Sequence, residues 1–199
     1  MTTSRKAEIE RTTRETTVSV RLALDGDLDT PAGAAIDVEC GFLGHMLELF
    51  AFHSGFGLAV TGRGDTHVDC HHLVEDIGLC LGSALSRALG DRRGIARYGH
   101  AAIPMDEALC MVTVDLSGRP YLVYNAALPA QKVGDFDTEL VEEFMRAVAS
   151  SAGIALHVNV MYGRNTHHII EAMFKALGRA LAAAAAITSA DIPSSKGVL

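Results

Sequence analysis

The sequence has no long hydrophobic run, no excess of positive charge and no closely spaced cysteines, and each absence narrows what the chain can be. The longest apolar stretch, residues 180–187, is far short of the ~20 residues that a membrane-spanning helix needs. With 17 Lys+Arg against 24 Asp+Glu the net charge is -7, whereas general nucleic-acid binding usually shows as a basic patch or stripe. The four cysteines, Cys40, Cys70, Cys80 and Cys110, contain no CxxC and read as reduced thiols of a cytoplasmic protein. The N-terminal stretch MTTSRKAEIERTTRE is charged and lacks the apolar segment of a signal peptide.

What is present is apolar content and histidine. Apolar residues make up 49% of the 199 residues, enough for a substantial core and the opposite of a disordered composition. That length suits one large domain or two small fused ones. Nine His occur, and two adjacent pairs begin the same pentapeptide, H-H-x-x-E: His71-His72-Leu73-Val74-Glu75 and His167-His168-Ile169-Ile170-Glu171. Each runs into an Ala/Leu-rich stretch with helical periodicity, residues 77–88 and 172–186.

The segments upstream repeat too. Residues 42–53 have helical periodicity, end in Ser54-Gly55 and lead into a strand-like 56–61. Residues 140–149 do the same, ending in Ser151-Ala152-Gly153 before a strand-like 154–162. The doublets are offset by 96 residues (71 to 167) and the glycines by 98 (55 to 153), a two-residue indel that sets His45 opposite Glu143. Strands are expected at 16–24, 108–116 and 121–126, and the polar 135–138 segment is expected to cap a helix starting near Glu139. The expected fold is α+β: a single domain of two sheet-plus-helix pseudo-repeats, roughly 10–95 and 96–190, with the helices packed together and an extended tail from 190 to 199.

On a helix, positions four apart share a face, so His71 can converge with Glu75, and His167 with Glu171. The neighbouring His sits about 100° further round, and His72 and His168 are each three residues from the same Glu. Either His is therefore open as its co-ligand, and the doubled motif points to two metal positions. Imidazole with carboxylate suits Mn, Fe, Ni or Zn, and His45 and Glu143 are natural extra ligands.

The motifs GFLGHMLELFAFHSGF, GDTHVDCHHLVEDIGLCLGSAL, RYGHAAIPMDEAL, DLSGRPYL, VGDFDTELVEEF, YGRNTHHIIEAMFKALGRAL and the terminal IPSSKGVL cover nearly the whole chain. In them the sequence resembles the imidazoleglycerol-phosphate dehydratase family of histidine biosynthesis. The resemblance implies a lyase that removes water from imidazole glycerol phosphate to give imidazole acetol phosphate. It also implies two Mn(II) ions per active site, lying between subunits, and an assembly of 24 copies.

Carried over by position, one ion falls to His45, His71, Glu75 and His168, and the other to His72, Glu143, His167 and Glu171. Departures from the family pattern are Glu143 where many members have His, Gly44 and Cys70 in place of Asp, and Leu49 in place of Gln. The hydrogen to be lost has no carbonyl to acidify it. The implied chemistry therefore uses the ring, held as imidazolate between two cations, to expel the neighbouring hydroxyl through a diazafulvene-like intermediate. A carboxylate must still move protons, and Glu15, Asp106 and Glu171 are the candidates.

Glu15 and His53 match substrate-contacting positions of the family, and the metal-binding His45, His71, Glu75 and His167 border the same substrate. Arg97, Arg119, Lys175 and the tail residues Ser194, Ser195 and Lys196 match phosphate and substrate contacts, for which a guanidinium fork is well suited. His67, His100 and His157 read as structural or surface residues. Two rivals stand beside this. One is a binuclear metallohydrolase acting on a phosphoester; the other is a metal-storage protein, which would leave Arg97, Arg119 and Lys196 without a role.

Overall fold

Strand alternation and helical periodicity build two four-stranded sheets flanked by four helices. The computed structural model describes residues 5–28 and 34–199. The first half runs β1 (Lys6–Thr12), β2 (Thr16–Ala23), β3 (Ala34–Val38), α1 (Gly41–Ser54), β4 (Gly57–Gly64) and α2 (His71–Leu89). The second runs β5 (Tyr98–Met105), β6 (Ala108–Asp115), β7 (Tyr121–Asn125), a short hairpin of β8 (Lys132–Val133) and β9 (Phe136–Asp137), α3 (Leu140–Ala152), β10 (Ala155–Tyr162) and α4 (Thr166–Ala185).

The two sheets have the same topology. Their strand orders are β1-β2-β4-β3 and β5-β6-β10-β7. In each, the first three neighbours pair antiparallel and the last strand, β3 or β7, pairs parallel to β4 or β10. The repeat read from the HHxxE motifs is therefore a repeat of whole sheet-and-helix units. In β2, Val18, Val20 and Leu22 are buried while Thr17 and Arg21 are exposed, the alternation expected of a sheet with one covered face. In β6 the buried set is Ala108, Cys110, Val112 and Val114.

The halves join through their helices, α2 against α3 and α1 against α4, and one hydrophobic cluster runs through both. Each contact depends on a glycine that lets two backbones meet. A Cβ at Gly82 would lie 2.6 Å from the Val148 carbonyl oxygen and 3.0 Å from Ala152 N; one at Gly178 would lie 2.7 Å from the Phe50 carbonyl oxygen and 3.1 Å from Ser54 N. Gly82 and Gly178 are 96 residues apart, and Phe50 and Ser54 are 98 from Val148 and Ala152, so both offsets of the sequence repeat recur at atomic contacts. α1 and α3 each end in a left-handed glycine, Gly55 (φ 71°) and Gly153 (φ 62°), which closes the helix and frees the following residues for a strand.

Three strands of the two large sheets, β1, β3 and β5, go beyond the expected set. In β1 only Ala7 and Ile9 pack on the core, between charged neighbours, because it is an edge strand with an open outer face. β3 is a second edge strand. β5 contains Gly99 and Pro104, which oppose strand formation in general, but Pro104 lies on an edge strand where a missing N–H donor costs no ladder bond. The expected helix cap at 135–138 is also corrected. That segment forms the β8–β9 hairpin, the Thr138 hydroxyl donates to the Ala130 carbonyl at 2.8 Å, and Glu139 caps α3 with helical backbone and no side-chain bond. Two short turns, Val141 N to Thr138 O and Glu142 N to Glu139 O, carry the chain into the helix instead.

Candidate active site

The doublets sit at the first turns of α2 and α4, one turn earlier than the apolar periodicity alone marks. Local hydrogen bonds hold them there. Asp69 Oδ1 accepts from His71 N at 2.7 Å, and Asn165 Oδ1 accepts from His167 N and His168 N at 2.9 and 3.4 Å, meeting backbone donors that a helix start leaves unpaired.

In the second half the i,i+4 pairing forms: His167 Nε2 lies 3.6 Å from Glu171 Oε2. α1, crossing α4, brings His45 to the same place, with the His45 and His167 rings 5.9 Å apart. His45, His167 and Glu171 offer three ligand atoms within 4.8 Å of one another, a set of two imidazoles and a carboxylate suited to a divalent transition metal. Glu171 is buried and also holds Lys175 Nζ at 2.8 Å. Phe42 stands edge-on to His167 at 5.2 Å and against Phe136 at 5.1 Å, fixing the imidazole beside a cleft of about 430 Å³ that Cys40 and Cys70 also line.

The resemblance divides the donors otherwise, setting His45 apart from His167 and Glu171 at sites between subunits; within one chain α1 packs on α4, and α3, carrying Glu143, packs on α2. His71 is half-buried and Glu75 exposed, and among the described residues they form no ion pair with each other. Glu143 lies 3.8 Å from Arg146 Nε.

The second imidazole of each doublet points elsewhere and has its own carboxylate. His72 Nδ1 bonds Asp65 at 3.0 and 3.3 Å, and His168 Nδ1 bonds Glu107 at 2.8 Å. Glu107 also accepts from Asn165 N at 2.6 Å and Arg164 N at 3.1 Å. These bonds, the one to His168 first, hold the Glu107 carboxyl down to about 2. Asp65 raises His72, and Glu107 raises His168, each mainly through the hydrogen bond to the ring.

Of the proton-transfer candidates, Glu15 is exposed in the β1–β2 turn, close enough to help raise His72, and its carboxylate has no hydrogen bond or ion pair among the described residues. That turn is anchored: Glu15 N and Thr16 N donate to Thr13 Oγ1, and buried Asp76 of α2 accepts from the Thr16 hydroxyl and from Arg11 Nε. Asp106 occupies the equivalent β5–β6 turn, with φ 46° and an exposed side chain 3.8 Å from His168 Nε2.

The anion-binding candidates fall into two groups. His53, at the end of α1, is pushed below the usual histidine range by burial and then by the nearby Lys175 and Arg179 cations. Arg97 forms a fork to Asp115, 2.7 and 3.2 Å, and donates to the Pro193 carbonyl at 3.0 Å; Arg119 reaches the same Asp115 at 4.0 Å. Ser194 is half-buried and Ser195 and Lys196 are exposed. Among the described residues no hydrogen bond or ion pair links these tail side chains to the imidazoles. His67, His100 and His157 are exposed, as expected. Asp65, Glu107 and Asp76 are the residues that sequence reading passes over. Motif spacing carries no mark of them, because they reach the site from a loop, a turn and the buried face of α2.

Residues 38–181 match the family model described as imidazoleglycerol-phosphate dehydratase. The chain is 55% identical over 196 residues to the imidazoleglycerol-phosphate dehydratase of Desulforudis audaxviator, covering 98% of both chains, and 57% identical over 179 residues to that of Geobacter metallireducens, covering 89% of both. The chain belongs to the imidazoleglycerol-phosphate dehydratase family. Imidazoleglycerol-phosphate dehydratase structures from Staphylococcus aureus (45% identity, TM-score 0.80, covering 92% of this chain and 99% of that one) and Pyrococcus furiosus, the latter in complex with (S)-C348 (37%, 0.82, 96% and 100%), share its fold. As a dehydratase of histidine biosynthesis it is a hydro-lyase. Of the departures from the pattern, Gly44 is buried where a Cβ would come within 3.1 Å of Val38, Leu49 is half-buried on α1, and Cys70 caps α2 without a side-chain bond.

Proposed function

We propose that the chain converts imidazole glycerol phosphate to imidazole acetol phosphate at a site built for two Mn(II) ions and shared between copies of the chain, 24 in the assembly, in the cytoplasm. The observation that carries this is the three-donor cluster His45, His167 and Glu171, within 4.8 Å of one another, together with its counterpart by repeat. One ion would be held by His45, His167 and Glu171, and the other by His71, Glu75 and Glu143, the equivalent positions on α2 and α3. His72 and His168 are bonded at Nδ1 to Asp65 and Glu107 and lie outside the His45, His167 and Glu171 cluster, so each would complete the ion site of another copy. When bound, the ions supply Lewis acidity and a template for the imidazole ring.

The chain's own residues do the rest. Dehydration removes one C–H proton and one hydroxyl, and the enol left behind becomes the ketone. Glu171 is engaged with His167 and Lys175, and Asp106 with His168 at 3.8 Å, which leaves the unpaired Glu15 carboxylate as the group that moves the proton. Lys175 beside His53, and Arg97 and Arg119 with the Ser194-Ser195-Lys196 tail, provide the cations and donors that a phosphate requires.

The test is to incubate the protein, stripped of metal by chelation and then given Mn(II), with imidazole glycerol phosphate and separately with a generic phosphoester. Formation of the keto phosphate, lost on stripping and restored by Mn(II), is expected. Phosphate release from the generic ester without keto product would favour a binuclear hydrolase, and full dehydration in a verified metal-free preparation would remove the ions from the reaction. Light scattering checks the 24-copy assembly.

A further inference from the structure

Both halves hold the second imidazole of the doublet in the same way, with residues that no motif connects. His72 Nδ1 meets Asp65, from the loop between β4 and α2, at 3.0 Å. His168 Nδ1 meets Glu107, from the β5–β6 turn, at 2.8 Å. Asp65 has no equivalent in sequence to Glu107; the one lies seven residues before its histidine and the other 61. The same ring atom thus receives a carboxylate twice by independent routes, which points to a requirement of the ring and not to inheritance of one loop.

A carboxylate only accepts, so in the neutral ring the proton is fixed on Nδ1 and the lone pair is left on Nε2. An imidazole that must ligate an ion needs that tautomer, and an outer carboxylate of this kind also raises its basicity. Glu107 is itself fixed by the Asn165 and Arg164 amides, so the ring orientation is tied to the start of α4. Asp65 is largely buried, 19% exposed.

We infer that Asp65 and Glu107 are positioning residues that set the Nδ1–H tautomer of His72 and His168 and so present Nε2 of each ring as a metal ligand. This rests on the two-ion site proposed above. Two measurements separate the claims. Solid-state ¹⁵N spectra of the metal-free full-length protein read the tautomer directly: wild type should show both rings protonated at Nδ1. Asp65→Ala should shift His72 toward Nε2–H, and Asp65→Asn, whose amide oxygen still accepts, should hold it.

Titration of the stripped protein with Mn(II), followed by loss of the free-ion paramagnetic resonance signal, should show Asp65→Ala weaker than wild type by about ten- to hundred-fold, with Asp65→Asn largely restored. Glu107 accepts from the two amides at Oε1 and from the ring at Oε2, and Glu107→Gln keeps only one of these oxygens. With the amides on that oxygen, the NH2 would donate to Nδ1 and move the proton to Nε2, so Glu107→Gln should lose affinity as Glu107→Ala does. The metal-free melting temperature of Asp65→Ala should match wild type, and only the added stabilisation by Mn(II) should shrink. If Asp65→Ala does not fold, Asp65→Leu at low temperature and the two Glu107 variants carry the comparison with wild type. Wild-type affinity in every foldable Asp65 and Glu107 variant would overturn the positioning role and leave the two-ion site standing. A wild type with the expected tautomers that binds no Mn(II) would overturn the two-ion site instead.

Discussion

In the first half of the molecule the outward imidazole is oriented by Asp65, and the hairpin turn at Glu15 keeps its carboxylate free. In the second half the hairpin turn itself supplies the orienting carboxylate, Glu107, and its neighbour Asp106 is left exposed on a left-handed backbone. Beneath this difference the scaffold is nearly identical, down to the glycines at which α2 meets α3 and α4 meets α1. Close-packed helix contacts leave no room for drift, because a single added carbon is felt. A hydrogen bond to a ring nitrogen can be met from any loop that reaches it, so polar partners diverge where packing does not. One consequence is asymmetry: meeting the orienting need from the β4–α2 loop leaves the first hairpin turn with a spare carboxylate, Glu15, whereas Asp106 of the second turn stands 3.8 Å from His168 Nε2.

The largest effect should come from removing that spare group. Glu15→Gln should lower kcat by about 10²–10⁴-fold, the range for loss of a positioned proton-transfer group, with Mn(II) content and melting temperature unchanged. Asp106→Asn, at the equivalent turn, should change kcat little. Equal losses in the two variants, measured by steady-state kinetics, would show that both turns serve the chemistry and that the asymmetry is only one of side-chain exposure.

A smaller effect is expected where the halves agree. Gly82→Ala and Gly178→Ala each place a carbon within 3 Å of a facing backbone oxygen, and overpacking of this kind costs about 1–3 kcal/mol. At about 2–4 °C per kcal/mol for a chain of this size, both should lower the melting temperature. Gly178→Ala should in addition weaken metal binding, since it pushes on the helix that carries His45. A stability loss in one variant and none in the other would break the equivalence of the two crossings.

The repeat is legible in the sequence because its signals are local and periodic: HHxxE at helix starts, Gly55 and Gly153 at helix ends, and alternation in β2 and β6. β1 and β5 are not, since edge strands bury one thin face and tolerate charge, glycine and proline. For the candidate site, the donor residue types are legible, but which of them meet within one chain is not. The repeat makes His45 and Glu143 equivalent positions, and only the packing of α1 on α4 places His45 with His167 and Glu171. Asp65 and Glu107 act across loops, where no period exists to mark them.

The smallest effect separates the two halves at the one unmatched position of the proposed donor sets, His45 against Glu143. Either side chain is a competent Mn(II) donor, so Glu143→His should leave turnover and Mn(II) content close to wild type, and it would make the two donor sets alike. The reverse change is not equivalent. His45 lies 3.9 Å from Glu48 and within the cluster that holds the Glu171 carboxylate, so in His45→Glu a new negative charge would face two others. Glu143, in contrast, has the Arg146 guanidinium 3.8 Å away. His45→Glu should therefore bind Mn(II) more weakly than Glu143→His, read by titration of the stripped proteins. If Glu143→His is the worse of the two, or if Glu143→Ala keeps full activity and metal content, then Glu143 is not a ligand and the second set is completed by another residue.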